Sequence, residues 1–381
     1  MSALFLEPLD VLFLRGNKLF GDPGSFGEAL VPPWPSVAAG ALRSRMLADA
    51  GVDLAAFARG QVEHPALGSP QKPGPFSVVA FHVARRAADG RVELLMQPPA
   101  DLVISEPEKG PIQVKSLTPT SVPKGEGIAS SAPLPLLPVL AEAERSKPAS
   151  GYWLTESGWR KYLRGETPAA EDLVKSSALW SFDHRVGVGL DAARRRAEDG
   201  KLFSMQAVAL KPGVGFVARV AGAEPPTTGT VRLGGDGRAA ALHSVQLHWP
   251  EPDYDAIAQA RRCRLVLVSP GIFERGWLPT GTGDASDSGV RFELHGVRGH
   301  IVCAAVPRAE VVSGWDLAHR RPKPAQRVAP TGSVYWLELG EGVTAQALRE
   351  LVNLGLWTDE DHATNPRRAE GFNRAALALW S

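Results

Sequence analysis

Cysteine is almost missing from this chain. Cys263 and Cys303 are the only two in 381 residues, too few for a disulfide framework and in keeping with a reducing compartment. No uninterrupted apolar run approaches the roughly 20 residues that cross a bilayer, so no membrane partner is expected. The start, MSALFLEPLDVLFLRG, lacks a basic stretch and a small-residue cleavage site, and Glu7, Pro8 and Asp10 interrupt any signal-like apolar core. A cytoplasmic protein is the expectation. A strong net charge is also lacking: the formal value is +1, without the overall basic footprint that is the usual first sign of a nucleic-acid partner.

Familiar catalytic signatures are absent as well. There is no C-x-x-C or H-E-x-x-H, and the nearest grouping, His295, His300 and Cys303, has irregular spacing. It reads as a buried thiol with two surface imidazoles, so neither a metal nor a cofactor is expected. No G-x-S-x-G elbow marks a serine hydrolase. TGTGDASDSG, residues 280–289, has the glycines of a phosphate loop but no following Lys-Ser or Lys-Thr, and reads as a flexible hairpin tip. LGGDGR, residues 233–238, has a Gly-Gly-Asp turn like that of nucleotide cyclases, but those enzymes hold two metals with several carboxylates, and Asp236 stands nearly alone. A metal-free ribonuclease is the surviving enzyme alternative, with His184, His243 or His319 as general acid or base near a bound RNA phosphate. Single histidines do not separate cleavage from binding or packing.

What is present reads as an α+β chain of two domains. Leu4 to Leu14 is strand-like, with Pro8 marking an edge or bulge. A glycine-containing loop follows, then a helix from a Ser36 N-cap to about Ala50. Two β-prone runs flank Asp89 and Gly90, the signature of a tight hairpin. Residues 105–150 show no period and read as an irregular excursion. Helices are predicted at 155–163 and 170–179, then a hairpin turning at KPGVG. Four strands follow around residues 239–248, CRLVLVSP, HIVCAAVP and SVYWLEL. TAQALRELVNLG is an amphipathic helix with Ala345, Leu348, Leu351 and Val352 on one side and Gly355 as C-cap. Hairpins and isolated helices without regular alternation suit a split β-α-β arrangement present twice.

Two segments carry candidate binding chemistry. In LGGDGR, three glycines let the backbone approach a phosphate and Arg238 adds a bidentate fork, although a plain turn explains the same residues. In VPPWPSVAAGALRSRML, Gly40 sits inside a helix at a cost of about 1 kcal/mol relative to alanine. Ser36, Gly40 and Arg43 recur at i, i+4 and i+7, a nearly bare lane ending in a charge, while Ala38, Ala41, Leu42 and Met46 can face a sheet. The alternative is that Gly40 admits another helix. Basic bunches at Arg194 to Arg196, at Arg261, Arg262 and Arg264, and at Arg320, Arg321, Lys323 and Arg327 each read, alone, as a solvated face.

Five segments in order, LFLEPLDVLFLRGNKLFG, PPWPSVAAGALRSRML, HRVGVGLDAARRRAEDGKLF, LGGDGR, and the late pair SGWD and PTGSVYWLEL, resemble the RAMP superfamily of CRISPR systems. The likeness is to the third subunit of the type III-B (Cmr) effector complex. It implies two ferredoxin-like, RNA-recognition-type domains packed side by side with long irregular insertions: residues 1–225, with the insertion at about 105–150, and residues 226–381. It also implies a glycine-rich loop at their junction and a non-catalytic role in antiviral defence. The partners it implies are the 5′ handle of the crRNA, the large polymerase-like subunit and a backbone RAMP subunit, with one copy of the chain per complex. Carried over by residue, the RNA-binding set is Ser36, Gly40 and Arg43 on the first helix, Arg185, Arg194 and Arg195 in the basic segment, Gly234, Gly235 and Arg238 in the glycine loop, and Lys323 and Arg327 after SGWD. A near-neutral subunit of this kind is expected to bind RNA weakly alone, with most affinity appearing on assembly.

Overall fold

The computed structural model describes residues 3–16, 26–121, 130, 132–142, 147–316 and 321–380. In chain order, the elements used below are β1 (Ala3–Pro8), β2 (Phe26–Gly27), α1 (Pro35–Asp49), β3 (Ser77–Arg86), β4 (Val92–Leu95), α2 (Glu156–Leu163), β5 (Trp180–Asp191), β6 (Arg196–Leu210), β7 (Val214–Ala221), β8 (Thr230–Arg232) and β9 (Ala239–Val245). They continue with α3 (Tyr254–Ala260), β10 (Arg262–Leu267), β11 (Thr282–Ser286), β12 (Gly289–Leu294), β13 (Val297–Ala305), β14 (Trp315–Asp316), β15 (Arg321–Pro322), β16 (Val334–Leu339), α4 (Ala345–Leu354) and β17 (Ala375–Leu379). Among the described residues, no helix is long and apolar enough to cross a membrane.

The chain forms two compact units, and each is built from three separate stretches. The first holds residues 1–92, 177–246 and 311–326; the second holds 93–176, 247–310 and 327–381. One boundary near residue 225 therefore does not describe them, because the 93–176 stretch, read from sequence as part of the first domain, packs into the second.

The first unit is built on a sheet in the order β8-β9-β1-β7-β3. β1 is antiparallel to both β9 and β7, and β7 to β3, so β1 and β3 run parallel with β7 between them and α1 in their connection. This is one split β-α-β. Pro8 ends β1, which is central in the sheet rather than at an edge; its missing N–H falls at the last rung, opposite Ala240. Ala38, Ala41, Leu42 and Met46 are buried on α1, as the spacing predicts, and Ala39 and Leu47 are buried with them. The tight turn at Asp89 and Gly90 forms as read, with Gly90 at φ 83° and Asp89 Oδ1 accepting the Arg91 N–H.

A long ribbon, β5 paired with β6 and β2 beside it, belongs to the same unit. The sequence reading placed the hairpin turn at KPGVG. The structure turns instead between Asp191 and Arg196, where Asp191 Oδ1 accepts the N–H groups of Ala193 and Arg194 and Arg195 takes a left-handed φ of 50°. KPGVG is a corner leading from β6 into β7, a strand of the main sheet.

The second unit is a sheet in the order β11-β12-β13-β16-β10-β17. Here β16 and β17 flank β10, both antiparallel to it, with α4 in their connection, which gives a second split β-α-β. Alternation along β10 fills both faces. Cys263, Leu265 and Leu267 join Tyr254 and Ile257 of α3 and Leu348 and Leu351 of α4 on one side. Val266 joins Trp336 and the α2 residues Trp159, Tyr162 and Leu163 on the other. Thr155 caps α2 by accepting the Gly158 N–H, and Thr344 caps α4 by accepting that of Ala347.

Three further readings are corrected. The 105–150 excursion is not wholly irregular: Gln113–Ser116 pairs with Leu102–Ser105, and Thr118–Ser121 with Leu136–Val139. Residues 170–179 are not a helix, since Leu173–Lys175 pairs with Tyr152–Leu154 between two short 3₁₀ turns. Arg264 is not on a solvated face. It points into the α2 side of the sheet, where Nη1 donates to Asp101 Oδ2 at 2.9 Å and Nη2 donates to the carbonyls of Tyr162 and Leu379, each at 3.0 Å. The Tyr162 hydroxyl donates to Asp101 Oδ1 at 2.9 Å, and the guanidinium lies 4.1 Å from the Tyr162 ring centroid. Burial pushes the Asp101 carboxyl upward, opposed by the charge and hydrogen bonds of Arg264 and Tyr162.

Asp101→Ala, which strands a buried cation, is expected to lower unfolding free energy by about 3–5 kcal/mol, read as a fall in the denaturant midpoint. Asp101→Leu with Arg264→Met, removing both charges, should lose less; equal losses would contradict a paired, buried origin.

Candidate nucleic-acid interface

The segment after β1 gathers several of the predicted site residues. Leu12 and Val208 exchange backbone hydrogen bonds at 2.9 and 2.8 Å, fastening the segment to the base of the ribbon. Next along, the Phe13 carbonyl accepts the Gly235 N–H at 2.8 Å. Its ring takes two cations: the Arg238 guanidinium lies 5.1 Å and that of Arg185 5.8 Å from the ring centroid. Arg185, Gly234, Gly235 and Arg238 thus meet around one phenylalanine.

Both arginines are also held by acids. Arg238 pairs with Asp10 and lies 3.7 Å from Asp236, while Arg185 donates to Asp183 at 2.9 Å. Two cations against three carboxylates is not a positive cradle. The glycines have a local reason too. Gly234 has φ +79°, and a Cβ there would stand 2.8 Å from the Phe13 carbonyl oxygen, so its identity follows from turn geometry and the close Phe13 strand. The Gly235 amide, expected to face a phosphate, faces the Phe13 carbonyl.

Ser36, Gly40 and Arg43 lie on α1. Ser36 is not the N-cap: Trp34 holds that position with no side-chain hydrogen bond, and Pro35 is the first helical residue. The physical reason is that proline already supplies the helical φ and has no N–H to cap. Gly40 is exposed, and a Cβ on it would meet nothing within 4 Å. Among the described residues of this chain no helix packs against this glycine, so the lane is open there. Arg45, which sequence reasoning did not single out, ties α1 to β8, with Nη1 donating to the Thr230 carbonyl at 2.7 Å and Nε to Asp49 at 2.6 Å.

Arg194 and Arg195 sit at the far end of the ribbon, away from the Phe13 cluster along 12- and 15-residue strands. Both are exposed, as is Arg196. One face of the ribbon is apolar and uncovered, with Phe182, Val186, Val188, Leu190 and Leu202 all exposed. Alternation explains it from Phe182 to Val188, where even-numbered residues of β5 pair with even-numbered residues of β6; beyond a register shift Leu190 pairs with Ala197. Lys323 falls in the first unit and Arg327 in the second.

The two described histidines of the enzyme alternative have separate neighbours. His184 stacks on Phe26, centroids 6.1 Å apart, and His243 Nε2 lies 3.2 Å from Glu7, which also pairs with Arg86 at 3.2 Å. His319 lies outside the described residues. Burial pushes the Cys263 and Cys303 thiols up to about 12.

Gly40→Ala is expected to raise unfolding free energy by about 0.5–1 kcal/mol, because it gains helix propensity and meets no neighbour. Gly234→Ala should lower it by about 1–2 kcal/mol from the left-handed conformation alone. Denaturant unfolding checks both, and a destabilising Gly40→Ala would mean the lane is covered.

Comparison with known proteins bears on what this arrangement serves. No curated protein matches the sequence. Among solved structures, a chain of the type III-B Cmr-beta complex bound to cognate target RNA is similar at a TM-score of 0.50 and 13% identity, covering 100% of this chain and 99% of that one. A second structure of Cmr-beta, with target RNA and AMPPnP, gives a TM-score of 0.49 and 13% identity over 99% and 98% of the two chains. At this identity the first likeness shows the fold. The description "CRISPR-associated protein (Cas_Cmr3)" belongs to the family matched over residues 4–380. With nearly the whole sequence matched in this way, the chain belongs to the CRISPR-associated Cas_Cmr3 family, a RAMP-like subunit type of Cmr (type III-B) effectors.

Proposed function

We propose that this chain is a non-catalytic RNA-binding scaffold subunit of a type III-B CRISPR ribonucleoprotein, gripping the 5′ handle of the crRNA. In this reading, one copy joins the large polymerase-like subunit to the backbone subunits in cytoplasmic antiviral defence. The observation that carries the reading is the family match over residues 4–380. Each unit then reads as a ferredoxin-like domain with one of its two crossover helices kept, α1 in the first and α4 in the second.

The geometry supplies surfaces that suit RNA. α1 begins without a side-chain cap, so its amide groups and positive dipole end favour an anion. The open lane of Ser36 and Gly40 lets a backbone come close and ends on Arg43. The ribbon tip offers Arg194 and Arg195 to phosphates, and its apolar face suits bases or a partner surface. Arg185 and Arg238, held by acids and by Phe13, act by fixing the ribbon base and the glycine loop in one place.

Alanine at Arg43, Arg194 and Arg195 is expected to weaken handle binding by the assembled ribonucleoprotein. Each lost phosphate contact should flatten the log–log salt dependence by about one unit. Arg238→Ala should reduce loading through disorder of the glycine loop, with a smaller change in salt slope. Unchanged binding in all four variants would contradict the proposal. Clean cleavage of repeat-containing RNA by the purified chain, lost on His243→Ala or His184→Ala, would replace it with a nuclease.

A further inference from the structure

Of the tryptophans in the described residues, Trp315 is the one in a largely exposed position, at 56%. Burying an indole is among the larger apolar gains available to a folding chain, so a tryptophan held outward needs a reason. The hairpin that carries it is anchored. β14 pairs with β15 in the register Trp315 with Pro322 and Asp316 with Arg321. At the open end of the hairpin, the Lys323 N–H donates to the Gly314 carbonyl at 2.9 Å and the Ser313 hydroxyl donates to the Lys323 carbonyl at 2.7 Å. Gly314 has φ +114°, a conformation that L side chains rarely adopt.

Strand alternation sorts the side chains of this hairpin. Trp315 and Pro322 share one face, and Asp316 and Arg321 share the other. Lys323, one rung on opposite Gly314, falls on the second face, with its Cδ 3.7 Å from where a Gly314 Cβ would stand. The result is a flat apolar platform about one indole wide, with two cations and one carboxylate behind it. A stable protein contact needs roughly 800 Å² from each partner, whereas an aromatic side chain offers about 150–250 Å². A single planar ring fits the platform, and the two cations on the other face of the hairpin add a local positive field that favours a polyanion nearby.

We infer that Trp315 is a stacking platform for one unpaired nucleobase of bound single-stranded RNA, with Pro322 beside it on the same face and Arg321 and Lys323 on the opposite face of the hairpin. The inference rests on the RNA-binding reading above and adds to it the kind of contact made after the SGWD segment.

The test uses the full chain, alone and in its assembled complex, with a short single-stranded RNA carrying 2-aminopurine at successive positions. Stacking on the indole should quench the probe at one position. Trp315→Ala should abolish that quenching and weaken binding by between about fivefold and a hundredfold, with the salt slope unchanged because no charge is lost. Trp315→Phe should restore most of the affinity. If the wild type binds RNA and Trp315→Ala binds and quenches equally well, the inference falls while the RNA-binding reading stands. If Trp315→Ala keeps RNA binding but loses association with a neighbouring subunit, the indole serves a protein contact and the inference is overturned. If the wild type binds no RNA in either form, both readings fall together.

Discussion

The double attachment of Leu12 and Phe13 is the interaction on which the candidate interface depends. Through Leu12 the segment is hydrogen-bonded to the ribbon base, and through the Phe13 carbonyl it holds the glycine loop. Through the Phe13 ring it draws in Arg185 and Arg238. Each ring contact contributes on the order of 0.5–1 kcal/mol at such a partly exposed site, too little to organise a surface alone. Together with the backbone bonds and the Asp10, Asp183 and Asp236 contacts, they fix a strand, a loop and a ribbon against one another. The glycine loop is therefore a bracket. Its glycines let the chain turn beside Phe13, and its arginine is committed to neighbours within the same unit.

Filled sheets explain where function is left to reside. Leu4, Phe5 and Leu6, consecutive on β1, are all buried, so both faces of the first sheet are covered there. In the second unit, separate apolar clusters occupy the two faces of β10 and β16. An RNA-recognition-type sheet that bared its face to bases would need one side open. In the proposed reading, contacts to RNA come from what projects beyond the sheets, namely the outer lane of α1, the ribbon and the small β14–β15 hairpin. Loops and ribbons on a rigid scaffold are a frequent place for binding residues.

Much of this architecture was legible in the residues. Strands with strong alternation or dense β-branched content, such as CRLVLVSP and SVYWLEL, stand where they were read, and so does the amphipathic α4. Spacing alone puts Ser36, Gly40 and Arg43 in one lane of α1 but does not say whether another helix fills it. What was not readable depended on distant partners. Arg264 sits in a basic bunch, and nothing local says that Asp101 and Tyr162 come to meet it. Likewise, residues 170–179 have helix-compatible composition, but pairing with Tyr152–Leu154 overrides it. The true turn of the ribbon was hidden in an arginine run, because its signal is the Asx turn of Asp191 rather than a proline or glycine. Interleaving of the two units is invisible in a linear reading, since no compositional break marks residues 92 or 176.

The proposed hold of this chain on RNA inside the assembled ribonucleoprotein can be read by photocrosslinking. A complex reconstituted with a guide RNA bearing a photoreactive base at each position of the 5′ handle should give adducts that map to α1 or to the ribbon formed by β5 and β6. Adducts confined to other subunits, with none on this chain at any handle position, would contradict it.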